Sequence, residues 1–397
     1  LLLGDTMKIV HCSDLHLGKR VSGTKDYVTK RYMDFFIAFE NFIDKVGEIK
    51  PDVCIIAGDI FDKREINPDI LSKAEDLFKQ LRNNVKKEII AIEGNHDNSR
   101  ILEESWLEYL QKKDILKVFY YNKDFEEKNY LKIDDINFYP VGYPGFMIDE
   151  ALISLSEKLN PDEKNIVIVH TGISGGENTL PGLVSTSILD LFEDKVLYIA
   201  GGHIHSFSTY PKEKPYFFVS GSLEFSNVQN EKSDRKGFIL FDTDTLKYEF
   251  IETEHRKRIK KDFVYNDFIN LENEFEDFVK ELNLTGEEIL VISLKVNNND
   301  YINTGNLENI AEKNGALKTY ILIKNIFNIH SGKNEDNSSL TITEMEKNLI
   351  DSWGIFEKDV FSNNFNTLKN LYCNKEISTF LELLDRVLEG TETEDVD

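Results

Sequence analysis

Cysteine is nearly absent, with three residues in a chain of 397. Cys12 and Cys54 each sit inside an apolar run, where a thiol reads as a small core side chain and not as half of a disulfide. That excludes a disulfide-stapled scaffold and fits a reducing compartment. No apolar run is long enough to span a bilayer, and no charged-then-apolar leader opens the chain. The expectation is a cytoplasmic protein without membrane association. Met7 reads as the natural start, and residues 1–6 as a remnant or upstream read-through lying outside the fold. No internal repeat and no long low-complexity segment occurs.

Basic charge is also scarce. Against 71 acidic residues stand 47 basic ones, for a formal charge of -24 and a pI near 4.8. This is the opposite of the footprint expected of a nucleic-acid binder. The basic residues cluster, however: Lys19, Arg20, Lys25, Lys30 and Arg31 lie close together, and residues 256–261 read Arg-Lys-Arg-Ile-Lys-Lys. Lys19, Arg20, Arg256, Lys257 and Arg258 are the candidates for substrate contact. Each run taken alone also reads as solvated surface, and bound divalent ions would outweigh either in the local field.

What is present is an α/β pattern. The length calls for one large domain and at least one smaller, and 41% hydrophobic residues can fill a core. Short Val- and Ile-rich runs at 8–12, 52–57, 88–92, 165–169 and 196–200 read as buried strands. Residues 32–46 and 70–85 carry apolar side chains at three- and four-residue spacing and read as helices. From Pro215, strands at 216–220, 237–242 and 248–252 complete the same domain, 7–257. A boundary near 258 opens a small α+β module, 258–340, with an acidic helix at 266–282. Residues 341–397 read as helices ending in an acidic tail.

Each of the five early strands runs into a polar cluster: Asp14-Leu15-His16, Gly58-Asp59-Ile60-Phe61-Asp62, Gly94-Asn95-His96-Asp97, His170, and Gly201-Gly202-His203-Ile204-His205. In open α/β sheets ligands collect at the carboxyl ends of strands, so distant residues can converge there. Carboxylate, amide and imidazole donors suit manganese, iron or zinc, and their number suits two ions about 3.5–4 Å apart sharing a carboxylate. The glycines before Asp59, Asn95 and His203 are expected to permit sharp turns. Singly the elements are weak, and a lone His170 is more often a satisfied core histidine.

This ordered set resembles the calcineurin-type metallophosphoesterase superfamily over roughly residues 7–255. Within it, residues 11–18 and 57–62, the Gly202-His203-Ile204-His205 turn, Ser220-Gly221-Ser222 and Lys236-Gly237-Phe238 are most similar to SbcD-type DNA double-strand-break repair exonucleases. The resemblance implies an α/β, four-layer α-β-β-α sandwich with a smaller α+β capping domain and a helical C-terminal tail. It implies that Asp14, His16 and His205 hold one divalent ion, that Asn95, His170 and His203 hold a second, and that Asp59 bridges them. Mn2+ is the expected ion, with Fe2+ and Zn2+ as alternatives. Hydroxide then attacks phosphorus in line, His96 protonates the leaving sugar oxygen, and Asp97 orients the His96 ring. Asp97 also reads as a cap for a following helix. Asp62 stands where archaeal and eukaryotic members often carry a histidine implicated in handling duplex DNA.

The implied partners are DNA, a second copy of the chain through residues 70–85 and 101–112, and an SMC-like coiled-coil ATPase. The segment from Ile377 to Leu388 is the candidate ATPase dock, although a helix with one apolar stripe usually packs on its own domain. The implied activity is exonucleolytic on duplex ends and endonucleolytic on single strands. Two alternatives stay open: a phosphoesterase of the same superfamily acting on a small substrate such as a cyclic nucleotide, and a non-catalytic scaffold of a repair complex. The scaffold predicts a broken ligand position, and the sequence has none.

Overall fold

A computed structural model describes residues 7–97, 105–121, 130–175, 181–265, 270–296 and 302–325, together with isolated helical positions 367, 368, 371, 379, 383 and 384. Residues 1–327 form one compact unit and residues 328–397 a second. The expected C-terminal helices, the segment 377–388 among them, and the acidic tail lie outside the described residues apart from those positions.

The strands follow chain order as β1 (Lys8–Cys12), β2 (Val53–Ile56), β3 (Glu88–Ile92), β4 (Lys117–Phe119), β5 (Leu131–Ile133), β6 (Ile136–Gly142), β7 (Lys164–Val169), β8 (Tyr198–Gly201), β9 (Ser208–Tyr210), β10 (Phe217–Val219), β11 (Gly237–Asp242) and β12 (Tyr248–Glu252). They build two six-stranded sheets, ordered β12-β11-β1-β2-β3-β4 and β5-β6-β7-β8-β10-β9. Side chains alternate between the two faces of a strand. In β1, Ile9 faces the opposite sheet and Val10 the helices; in β7, Ile166 and Ile168 face inward while Val167 and Val169 face out. Both faces are therefore apolar, as buried parallel strands require.

The helices are α1 (Lys25–Ile49), α2 (Pro68–Asn84), α3 (Trp106–Lys112), α4 (Ile148–Lys158) and α5 (Thr186–Leu189). The first three cover the outer face of one sheet through Phe39, Phe42, Phe78, Leu81 and Leu107; α4 and α5 cover the other through Leu152, Leu155 and Leu189. The result is the four-layer α-β-β-α sandwich. α1 starts earlier than the apolar period predicts, because Thr24 caps it by accepting from the Tyr27 N–H at 3.3 Å. Its first turns then bury Tyr27 and the ion-paired Arg31, a charge that hides a buried position from hydropathy. Residues 98–104, at the start of the helix expected over 101–112, lie outside the described residues.

Beyond Thr253 the reading as an α+β module is corrected. β13 (Arg258–Tyr265), β14 (Ile289–Val296) and β15 (Lys318–Asn325) pair in parallel throughout, joined through α6 (Leu271–Glu281) and α7 (Thr304–Lys313). Parallel neighbours need a crossover helix, so this is a βαβαβ unit with its own core of Phe275, Val279, Leu290, Ile292, Leu294 and Leu307. The sequence hid β13 because four of its eight residues are charged and its burial alternates poorly. The unit packs on the sandwich where Tyr27 and Phe225 meet Ile289, Val291 and Leu317.

Candidate active site

The loops after β1 and β2 run side by side. Asp14 N–H donates to the Gly58 carbonyl at 3.0 Å, His16 N–H to that of Asp59 at 3.0 Å, and Leu17 N–H to that of Ile60 at 2.9 Å. To keep this register, Asp14, His16 and Asp59 adopt positive φ of 54°, 46° and 53°, and His203 adopts 71°. Non-glycine residues seldom adopt such angles, and clusters of them mark functional sites. Among the glycines, Gly58 has φ 92°. Gly94 is required for a different reason from the one expected: a Cβ there would lie 2.1 Å from Asp59 Oδ1, so the constraint is close approach and not a turn angle.

All seven expected ligands meet around Asp59. Donor atoms of Asp14, His16 and His205 lie within 4.8 Å of one another, as do those of Asp59, His170 and His203. Asp59 Oδ2 is 3.3 Å from His170 Nε2 and 3.9 Å from His16 Nε2, so it stands between the two groups. Asn95 joins the second group through Oδ1, 2.8 Å from His203 Nδ1 and 3.2 Å from His170 Nε2. A third combination, His16, Asp62 and His96, overlaps the first. Its carboxylate is already engaged, since Lys19 Nζ sits 2.7 Å from Asp62 Oδ1.

The imidazole tautomers follow from their acceptors. A carbonyl oxygen can only accept, so each nitrogen facing one carries the proton. His170 Nδ1 donates to Ala57 O at 2.7 Å, His96 Nδ1 to Asp62 O at 2.6 Å, and His203 Nε2 to Pro181 O at 3.1 Å. His170 Nε2 and His203 Nδ1 are thereby left facing the cluster. His16 Nε2 and His205 Nε2 face one another at 3.1 Å. Asp14 Oδ1 is buried without a hydrogen-bond partner among the described residues, 3.7 Å from His205 Nε2.

The electrostatics are those of a site built for cations. Burial pushes the Asp14 carboxyl above its ordinary range. Burial acts the same way on Asp59, but His170 and His16 beside it prevail and hold that carboxyl well below the ordinary range. Burial disfavours a proton on His170, yet Asp59 raises its pKa to about 9. Burial and the neighbouring His170 lower His203 to about 4. An orphaned buried carboxylate oxygen, facing imidazole lone pairs and no thiolate fit divalent ions of the manganese, iron or zinc type.

Asp97 is not where it was expected to act. It accepts from the N–H groups of Ile60 at 3.0 Å, Phe61 at 3.0 Å and Gly94 at 3.1 Å, while the Asp62 carbonyl holds the His96 ring. Its buried carboxylate pins the loop after β2 to the turn after β3, and residues 98–104 beyond it lie outside the described residues. Of the basic candidates, Lys19 stands at the cluster through Asp62 and Arg20 is exposed. Arg256 pairs with Asp34 and Glu287, Lys257 with Glu288, and the buried Arg258 with Asp234. Their charges are engaged within the fold.

Several residues at the site carried no sequence signal of a role. Tyr143 packs its ring 5.7 Å from His170 and 5.8 Å from His203. His11 donates Nε2 to Gly201 O at 2.9 Å and faces Tyr198 Oη at 2.8 Å, linking β1 to β8 beneath the His203 turn. Glu231 and Lys236 lie behind His205. Of these, His11 and Lys236 were marked beforehand, within the resemblance at residues 11–18 and at Lys236-Gly237-Phe238.

Residues 7–207, just over half the chain, match the family model described as calcineurin-like phosphoesterase. The chain belongs to this family. A calcineurin-like phosphoesterase is a metal-dependent hydrolase, and the strand-end clusters above are its candidate metal-binding residues. The chain is similar to the crystal structure of a dimetal phosphatase from Danio rerio, at 10% identity and TM-score 0.39, covering 59% of this chain and 91% of that one. It is also similar to a single-mutant Vps29 from Entamoeba histolytica, at 13% identity and TM-score 0.27, covering 62% and 100%. Among the described residues no helix is long and apolar enough to cross a membrane.

Proposed function

We propose that this calcineurin-like phosphoesterase is a two-metal DNA phosphodiesterase of the SbcD type, acting in repair and recombination. The observation that carries the catalytic part is the meeting of two donor groups at the single carboxylate of Asp59. Asp14, His16 and His205 would hold one divalent ion, and Asn95, His170 and His203 the other, with Asp59 shared. When bound, such a pair lowers the pKa of water and neutralises phosphoryl oxygens. His96, its Nδ1–H fixed on the Asp62 carbonyl, presents Nε2 as the proton donor to a leaving alkoxide. Lys19 stands beside it, poised to meet a phosphate oxygen once it leaves Asp62. Support for DNA as substrate comes from the resemblance at residues 11–18, 57–62 and 236–238. The same resemblance supports Mn2+ as the ion, a homodimer, and an SMC-like ATPase partner at residues 377–388.

The decisive experiment incubates the protein and Mn2+ with end-labelled duplex and single-stranded DNA, and in parallel with a chromogenic small diester. DNA shortening is expected. Rapid turnover of the small diester with DNA untouched would replace this reading with that of a small-substrate phosphoesterase, which the charge of -24 favours.

A further inference from the structure

His205 stands apart from the carbonyl-anchored histidines of the site. His170, His96 and His203 each donate to a backbone carbonyl, but the Nδ1 of His205 faces a carboxylate, Glu231 Oε1, at 3.3 Å. Packing does not hold its ring either: the side chain is 23% exposed, against 1% for His16 and 0% for His170. Glu231 behind it is held at both carboxylate oxygens and at its backbone carbonyl. Asn227 N–H donates to Glu231 Oε1 at 2.7 Å, Lys236 Nζ pairs with Oε2, and the Glu231 carbonyl accepts from Arg258 at 2.8 Å and Lys260 at 2.6 Å. Lys236 is fully buried, and its ammonium also donates to the His205 carbonyl at 2.9 Å and Ser222 Oγ at 2.8 Å. One cation thus grips both the backbone of His205 and the group facing its ring. A buried ammonium is costly unless fully partnered, and here every partner leads to His205 or to the turn beside it.

Resting on the two-metal reading of the site, we propose that Glu231, locked by Lys236, is the positioning residue for His205. It keeps the proton on Nδ1, aims Nε2 at the Asp14 and His16 donors, and makes the ring a stronger base toward a cation. A carboxylate behind a ligating imidazole acts in this way, and its loss lowers metal affinity about 10–100-fold. It also explains the otherwise unassigned Lys236 before β11.

The test titrates the full chain, stripped with chelator, with Mn2+ by calorimetry and with Co2+ by visible absorption. The wild type should take up two ions. Glu231→Ala should weaken one of them about 10–100-fold and alter its Co2+ band, leaving the other unchanged. Glu231→Gln, whose amide oxygen still accepts from Nδ1–H, should recover much of the loss. If Glu231→Ala does not fold, the double variant Glu231→Ala with Lys236→Met removes the unpaired ammonium and carries the test, with one affinity still weakened. Unchanged affinities and spectra in a folded variant overturn the positioning role alone. A wild type that takes up no ion overturns both this role and the two-metal reading.

Discussion

The Nδ1–H of His170 donates to the Ala57 carbonyl at 2.7 Å, joining the strand ends of β7 and β2, which belong to different sheets. The same bond turns Nε2 toward Asp59 and Asn95. With its pKa at about 9, His170 carries a proton at neutral pH that a bound ion must displace. Affinity for the second ion should therefore rise with pH, about tenfold per unit for one released proton, and level off above about 9. Mn2+ calorimetry at several pH values checks this; a flat profile removes Nε2 from the ligand set. His170→Ala should reduce the metal content from two ions toward one and cut hydrolysis at least ~100-fold.

His96 and Asp97 should separate cleanly by experiment. His96→Ala should lower kcat about 10²–10⁴-fold with metal content unchanged, since general acid catalysis contributes that much. Asp97→Ala would leave the buried N–H groups of Ile60, Phe61 and Gly94 unpaired and should cost at least ~2 kcal/mol in denaturant melts. Because Asp97 accepts from backbone N–H groups while the Asp62 carbonyl holds the His96 ring, Asp97→Asn should leave the alkaline limb of the kcat–pH profile in place. A displaced limb would restore Asp97 as the orienting group.

Arg256 is expected to matter for stability and not for substrate. Its guanidinium spans Asp34 on α1 and Glu287 before β14, fastening the βαβαβ unit to the sandwich. Arg256→Ala should cost about 1–3 kcal/mol in chemical melts, because Asp34 keeps Arg31 as a partner. A phosphate-contacting arginine would, on removal, reduce the slope of log K against log salt by about one. No change in slope is expected here, and a reduced slope would return Arg256 to the substrate surface.

Glu288 provides a pH-dependent contribution remote from the metal cluster. Burial works against its charge, but the Thr285 N–H and hydroxyl and Lys257 lower its pKa from 4.5 to about 2. A depressed carboxyl stabilises the fold above its unfolded value and loses that contribution as pH falls from about 4.5 through 2. Glu288→Gln should be about 1–2 kcal/mol less stable at pH 7, discounted for solvent reaching the Lys257 end. The two proteins should converge as pH approaches 2. A difference constant with pH would mean that shape and not charge accounts for the loss.

Local sequence was sufficient for eight of the first domain's twelve strands, missing β4, β5, β6 and β9, because those eight are short apolar runs, the first five of which end in a polar cluster. The family resemblance named the seven expected donors, and Asp14, Asp59, Asn95 and the histidines among them sit at strand ends where the chain must turn outward. Where charge is buried, the same reasoning failed. Arg31 shortened α1, and Arg258 was placed on a surface it does not occupy. An ion pair's partner is set by three-dimensional proximity, which hydropathy along the chain does not encode.

Membership in the phosphoesterase family was thus legible in the order of motifs along the chain, and the candidate donors in the resemblance those motifs carry. Only the tertiary structure decided which nitrogen of His170 faces Asp59, that a carbonyl of Asp62 and not the carboxylate of Asp97 holds His96, and that Glu231 stands behind His205. The reason is geometric. A tautomer is selected by whichever acceptor lies within about 3 Å of one ring nitrogen, and here those acceptors come from residues 22 to 113 positions away, across two sheets.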